Sequence, residues 1–436
     1  MSAQQGTQRD IRRTIEAVWR IESARIIAVV ARMLRGVGEA EEIAQDALVA
    51  AMEKWPETGT PDNPAAWLMA VAKNRALDLL RHRQLQQDKE FELTYEIEGQ
   101  LQDTVPDVAL SVEQALDDNI GDDLLRLVFI SCHPLLSMEA RVALTLRLLG
   151  GLTTDEIARA FFVPEPTVAQ RIVRAKRTLA EAKVPFDVPR GPELGERLAA
   201  VLQVIYLIYN EGYAASAGAD WMRPTLCEEA LRLGRVLAGL APLEPEVHGL
   251  AALMEIQSSR MRARVDTQGN PVLLLDQDRS RWDQLLIRRG LAALARAEAL
   301  CTRQQRGLGP YALQAAIAAC HARARRAADT DWGRIAALYD GLAQLAPSPV
   351  VELNRAVALS MAFGPETGLE VADTLLDEPA LKNYHLLPSV RGDFLFKLGR
   401  IAEARGEFER AAALAQNQRE RDLLLARAAA CVPALP

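Results

Sequence analysis

Apolar residues recur at helical spacing along most of the chain. Residues 1–21 set Ile11, Ile15, Val18 and Trp19 on one side of a first helix, with Met1 to Gln8 frayed, and a second helix runs from Ala24 to Leu34 until Gly36-Val37-Gly38 stops it. Glu39 to Trp55 turns Ile43, Ala47, Ala50, Ala51 and Trp55 inward and leaves Glu41, Glu42, Gln45, Asp46 and Glu53 outward. After a break at Pro56 to Pro64, AAWLMAVAKNRALDLLRHR (65–83) carries Trp67, Leu68, Val71, Leu77 and Leu80 on its apolar side, which assigns Trp67 to core packing. Lys73, Arg75, Arg81 and Arg83 gather around Asn74 as a basic face. From Gln84 the periodicity fades. Acids from Asp88 to Asp123 face a single Lys89, and 84–121 reads as an acidic, partly extended linker.

Two helices, Leu124 to Cys132 and Glu139 to Leu149, then lead into a hairpin, TTDEIARAFFVPEPTVAQRIVRAKRTLAEAK (153–183). Thr153 or Thr154 caps its first helix ahead of Asp155 and Glu156, acids that suit the positive end of the helix dipole. Pro164 and Pro166 break the chain, and Pro166 has the φ of a new helix start. The second helix buries Val168, Ile172, Ala175 and Leu179 and presents Thr167, Gln170, Arg171, Arg174 and Arg177. A supporting helix followed by one with a cationic outer face is the helix-turn-helix pattern of groove readers. An ordinary hairpin with a solvated basic face has the same pattern.

With 436 residues the chain is too long for one helical core, and 49% apolar with 25% charged residues is a globular composition. No apolar run spans a bilayer and no secretory signal opens the chain, so a cytoplasmic protein is expected. Cys132, Cys227, Cys301, Cys320 and Cys431 lack CxxC spacing and read as core residues rather than disulfide or zinc partners. A formal charge of −7 excludes general coating of nucleic acid, so DNA contact must come from local basic faces.

The order of these words carries a resemblance. A helix with outward Glu42, Gln45 and Asp46, the WLMAVAKNRALDLLRHR helix, an acidic linker and a terminal helix-turn-helix together resemble a bacterial RNA polymerase sigma factor of the extracytoplasmic-function type. The resemblance implies a region 2 within 1–83 and a region 4 within 122–184. It implies that Glu42, Gln45 and Asp46 dock on core polymerase. Asn74 would hold a flipped −10 base while Lys73, Arg75, Arg81 and Arg83 neutralise phosphate. Gln170, Arg171 and Arg174, with Thr167 at the groove edge, would read the −35 element, and Lys176 and Arg177 would contact backbone. Pro164 stands where the family usually has a Ser or Thr cap, so −35 base specificity does not transfer.

Pro185 to Pro192 reads as a hinge to a further helical region, 185–436, rich in Ala and Leu. Within it, 385–416 places Gly392, Leu395, Gly399, Ala404, Phe408 and Ala411 at tetratricopeptide spacing, 349–380 is a looser copy, and Trp332 to Pro347 suits the second helix of a third, with Tyr339 in the aromatic slot. Three stretches fit no repeat: IYLIYNEGYAAS (205–216), VLLLDQDRSRW (272–282) and GPYALQAAIAACHA from Gly309. They resemble the long extension of one group of these sigma factors. Asp276, Asp278 and His321 lack metal-ligand spacing, and capping or salt-bridge roles are expected of them. The fold expected is all-α: region 2, linker, region 4 and a helical solenoid. The expected function is promoter-directed initiation with core RNA polymerase and promoter DNA as partners, and a regulatory helical tail whose surface suits a protein or peptide partner. No cofactor, metal, catalysis or membrane segment is expected. The alternatives are a helix-turn-helix repressor and a tetratricopeptide scaffold that does not bind polymerase.

Overall fold

The computed structural model describes residues 2–95, 120–161, 163–190, 192–215 and 221–432. The core of the expected linker, 96–119, lies outside the described residues, as does Phe162. All regular structure among the described residues is helical, apart from an isolated bridge between Val265 and Pro271.

The chain divides into two compact units, Met1–Val204 and Ile205–Pro436. The first contains α1 (Ser2–Leu34), α2 (Val37–Thr58), α3 (Pro64–Tyr95), α4 (Ile120–Ser131), α5 (Met138–Leu148), α6 (Thr154–Phe161), α7 (Glu165–Glu181) and the start of α8 (Pro192–Tyr213). Two expectations are corrected here. The two opening helices are one continuous α1, because nothing between Arg20 and Ala24 breaks a helix. Helix α3 runs on to Tyr95, twelve residues past Arg83, because Gln, Lys, Glu and Leu in 84–95 are strong helix formers even without an apolar stripe. The division between units falls inside α8, after the Pro185–Pro192 stretch expected as the hinge.

Burial of Ile26, Ile27, Leu68, Leu127, Phe129 and Leu144 makes the core of the first unit from α1, α3, α4 and α5. The turn between α5 and α6 needs Gly151, whose φ of +65° is left-handed and whose added Cβ would meet Ser23 Oγ of α1 at 3.0 Å.

The second unit holds the end of α8, then α9 (Pro224–Leu240), α10 (Pro245–Ser258), α11 (Gln284–Arg303), α12 (Pro310–Arg323), α13 (Trp332–Leu345), α14 (Pro349–Phe363), α15 (Pro365–Asp373), α16 (Leu386–Lys397), α17 (Ile401–Leu414) and α18 (Gln418–Ala430). Consecutive helices from α12 onward pack on one another in chain order, in the manner of a solenoid. The strongest sequence repeat is the α16–α17 pair, where a Cβ on Gly392 would lie 2.9 Å from the Phe408 ring, so the small residue admits the aromatic one. Phe394, Phe408, Ala404 and Ala411 are all buried there. Between α10 and α11 the repeat gives way to irregular chain, 259–283, held by short turns. Asp266 Oδ1 accepts from the backbone N–H groups of Gln268 and Asn270, each at 2.8 Å.

Candidate nucleic-acid interface

The helix-turn-helix is built from local capping. Thr153 and Glu156 form a reciprocal box: the Glu156 N–H donates to Thr153 Oγ1 at 3.2 Å, and the Thr153 N–H donates to Glu156 Oε2 at 2.8 Å. Helix α7 starts at Glu165 with Pro164 at the cap position, where no side chain caps it, and with Pro166 inside the first turn. It ends where Lys183 takes φ +47° and the Val184 N–H donates to Leu179 O at 3.1 Å, a left-handed closure.

Val168, Ile172, Ala175 and Leu179 are buried as the periodicity requires. Opposite them, Gln170, Arg174 and Arg177 are exposed, and their i, i+4, i+7 spacing puts them on one face with half-buried Thr167. Arg171 is half-exposed beside that row, and Arg177 pairs with Glu181 at 3.4 Å. Lys176 departs from its expected place. It points away from the row, and its ammonium pairs with Glu41 of α2.

Glu41 itself was expected outward and is buried, with 3% of its surface exposed. Arg147 of α5 donates from Nε to its Oε1 at 2.6 Å, and Gln45 donates to the same oxygen at 2.7 Å. Burial alone would raise the Glu41 pKa. Lys176 and Arg147 outweigh it, and the carboxyl is held below its ordinary value. This residue was missed because α2 was read as a helix with one acidic face. Yet Glu41 falls between Val37 and Ala44 at four- and three-residue spacing, on the stripe that continues to Ala51 and Trp55. A carboxylate on an apolar stripe calls for a cation on the element that covers it.

The second basic face is partly spent on α2. Arg75 pairs with Asp46 at 3.0 Å, and Arg83 pairs with Glu39. Arg81 pairs within its own helix with Asp78 at 3.3 Å, on the exposed side that also carries Asn74, while Lys73 is half-buried. Of the three residues assigned to polymerase docking, Glu42 and Asp46 are exposed and Gln45 is half-buried. Trp67 meets Trp55 edge to face, ring centroids 5.5 Å apart. Further contacts join the α1–α3 part of the unit to the α4–α7 part: Arg32 to buried Asp123 at 3.1 Å and Arg20 to Glu156 at 3.4 Å.

Comparison with known proteins gives these pieces a family. Family models match Sigma-70 region 2 over residues 20–86, Sigma-70, region 4 over 126–179, and a family of unknown function, DUF6596, over 197–298. The probable ECF RNA polymerase sigma factor SigI of Mycobacterium tuberculosis is 24% identical over 174 residues, 40% of this chain and 57% of that protein. The ECF RNA polymerase sigma factor SigK of Mycobacterium ulcerans is 29% identical over 159 residues, 36% of this chain and 78% of its own length. The chain belongs to the extracytoplasmic-function sigma factors. An uncharacterized protein of Rhizobium meliloti is 44% identical over 390 residues, covering 89% of each chain, so the extension is shared along with the sigma regions. No solved structure matches.

In sigma-factor terms, α1–α3 contain the region 2 match and α4–α7 the region 4 match. The Glu41 cluster therefore joins region 2 to region 4. No helix among the described residues is long and apolar enough to cross a membrane, and no group of His, Cys, Asp and Glu among them is placed to hold a metal. Asp278 caps a short turn, accepting from the Ser280 N–H at 2.9 Å.

Proposed function

We propose that this sigma factor directs promoter-specific initiation through two faces. Gln170, Arg171, Arg174 and Arg177, entered by Thr167, read and grip the −35 element. Asn74, Lys73 and Arg81, with Arg75 and Arg83 freed from their α2 acids, hold the opened −10 strand. Glu42, Gln45 and Asp46 dock on core polymerase, and the C-terminal helical unit regulates the outcome. It acts by binding and electrostatics, with no covalent step assigned to any residue. The observation that carries this reading is the exposed Gln170–Arg174–Arg177 row on a capped helix-turn-helix within the region 4 match.

The Glu41 contact adds a requirement. Elements named −35 and −10 lie about 25 base pairs apart, on the order of 85 Å at about 3.4 Å per pair. Direct contact between Lys176 and Glu41 holds the two readers far closer than that. In this reading the described state is closed, and engagement of a promoter separates α7 from α2.

In-vitro transcription with core polymerase tests the proposal. Replacing Arg171 and Arg174 together by Ala should lower −35-dependent initiation by about tenfold to a hundredfold, from the loss of one or two base or phosphate contacts. A chain ending after Val204 should initiate with altered output or altered response to conditions. Unchanged promoter selection by the double variant would sink the −35 assignment. An identical response of the shortened chain to every condition would sink the regulatory one.

A further inference from the structure

The three stretches that fit no repeat meet at one place in the C-terminal unit. They line a cavity of about 280 Å³ with the face of α10 and with Tyr339 and Asn354 of α13 and α14. From the first stretch come Tyr206, Tyr209, Asn210 and Tyr213, from the second Leu274, and from the third Gln314 and His321.

The walls are ordered by their own hydrogen bonds. Tyr206 donates to Gln314 Oε1 at 2.9 Å and packs edge-on against Tyr311, centroids 5.3 Å apart. Tyr209 bonds Met254 O at 3.1 Å and Ser258 Oγ at 2.9 Å, and it stacks on Tyr213. Arg260 donates from Nη2 to the Tyr213 hydroxyl at 2.6 Å and also to Gln257 Oε1, which accepts from that hydroxyl as well, at 3.1 Å; its Nε and Nη1 make no hydrogen bond among the described residues.

The charge of this cavity is unbalanced. Arg260 is half-buried and forms no ion pair among the described residues, and no carboxylate is among the lining residues. Arg279, close behind, forms no close ion pair among the described residues, feels Asp329 only through its field, and spends Nη1 on the carbonyls of His321 at 2.7 Å and Ala324 at 2.8 Å. His321 is buried, rests edge-on against Trp332, and its Nδ1 has no hydrogen-bond partner. Burial, with Arg260 and Arg279 nearby, pushes its pKa down to about 4, so the ring is neutral and the positive charge at neutral pH is that of the arginines. A half-buried guanidinium with free donors and no close anion of its own is what an anionic ligand completes. The volume, at the lower end of small-molecule sites, admits a compact ligand and not a folded partner.

We propose that this cavity is a binding site for a small organic anion, a carboxylate or phosphate monoester on a flat, partly apolar body. Arg260 takes the charged group, the Tyr206, Tyr209 and Tyr339 rings pack the body, and His321 offers Nδ1 to a polar substituent. The proposal stands apart from the regulatory role of the unit, because binding is read on the sigma factor alone.

The test is ligand-observed NMR on the full-length protein with benzoate and phenyl phosphate as probes, and benzamide and benzylamine as neutral and cationic controls. At least one anion should bind saturably below about 10 mM, as expected for a ligand with roughly ten heavy atoms, with the controls weaker by about tenfold or more. The two anions decide between carboxylate and phosphate. Arg260→Gln should weaken binding about tenfold to a hundredfold, and Arg260→Lys should recover part of it. Asn354→Trp changes an exposed lining position and should block entry without touching the charge, which keeps the test valid if Arg260→Gln does not fold. No saturable binding of either anion, equal binding of benzamide, or binding unaffected by Arg260→Gln and Asn354→Trp overturns the proposal.

Discussion

Two charge clusters, one in each unit, are completed in opposite ways. In the first, one acid, Glu41, is enclosed and met by two cations, Arg147 and Lys176. In the second, Arg260 lines a cavity with Arg279 close behind, and neither has a close ion pair among the described residues, Asp329 reaching Arg279 only through its field. A charge cluster that is internally complete has its partner within the fold and behaves as a fastening. One that is incomplete keeps binding capacity unused. The contrast separates a contact that holds two sigma regions together from a cavity equipped for something outside the chain.

The largest effect expected is at Glu41. Glu41→Ala leaves Arg147 and Lys176 facing each other without the carboxylate, and loss of one partner from a buried pair costs about 3–5 kcal/mol. Urea denaturation monitored by circular dichroism should show that loss. A change below about 1 kcal/mol would mean the cluster is no fastening. The effect should also depend on pH. The folded-state pKa of Glu41 lies below the ordinary 4.5, so its stabilisation is complete above that value and fades as pH falls through the lower, folded pKa. Wild type and Glu41→Ala should therefore converge in acid. Parallel curves down to the acid limit would rule out ionised Glu41 as the cause.

Arg260 should behave differently. Arg260→Gln gives up the hydrogen bonds to Tyr213 and Gln257 and the stacking on Trp282, and removes a charge that no close described acid balances, so its stability cost should be about 1–2 kcal/mol in the same assay, below that at Glu41. A loss as large as that at Glu41 would mean that Arg260 has a structural counterion and would erase the contrast between the two clusters.

How much of this was legible beforehand depends on whether a feature is local. The helix-turn-helix could be read because its signals are neighbours in sequence: the Thr153–Glu156 box, the paired prolines, the 168–172–175–179 stripe and the 170–174–177 row. The α16–α17 repeat was readable for the same reason, since Gly392 and Phe408 sit at a fixed offset. The Glu41 cluster joins residues 106 positions apart in the case of Arg147, and no periodicity reports such a pairing. Its trace was only a carboxylate on an apolar stripe. The family resemblance implies a DNA-backbone contact for Lys176, while helical phase sets it on the Glu41 side of α7, apart from the Arg174–Arg177 row. The reach of α3 to Tyr95 was missed because helix formation there rests on intrinsic propensity, and periodicity reads burial. The cavity was visible only as three stretches that declined to repeat. Their convergence is a property of the fold.

The smallest effect expected is at the second, exposed link between the sigma regions. Arg20 reaches Glu156 at 3.4 Å with two-thirds of the Arg20 side chain in solvent. An exposed pair at that distance contributes roughly 0–0.5 kcal/mol, so Arg20→Ala should be nearly silent. Glu156→Ala should cost more, about 0.5–2 kcal/mol, because Glu156 also closes the capping box with Thr153. Measured together as a double-mutant cycle, the two should show almost no coupling. A coupling above about 1 kcal/mol would place a real share of the fastening at this surface pair and correspondingly less at Glu41. Salt separates the two cases further, since screening weakens an exposed pair and reaches Glu41, enclosed by α2, α5 and α7, far less.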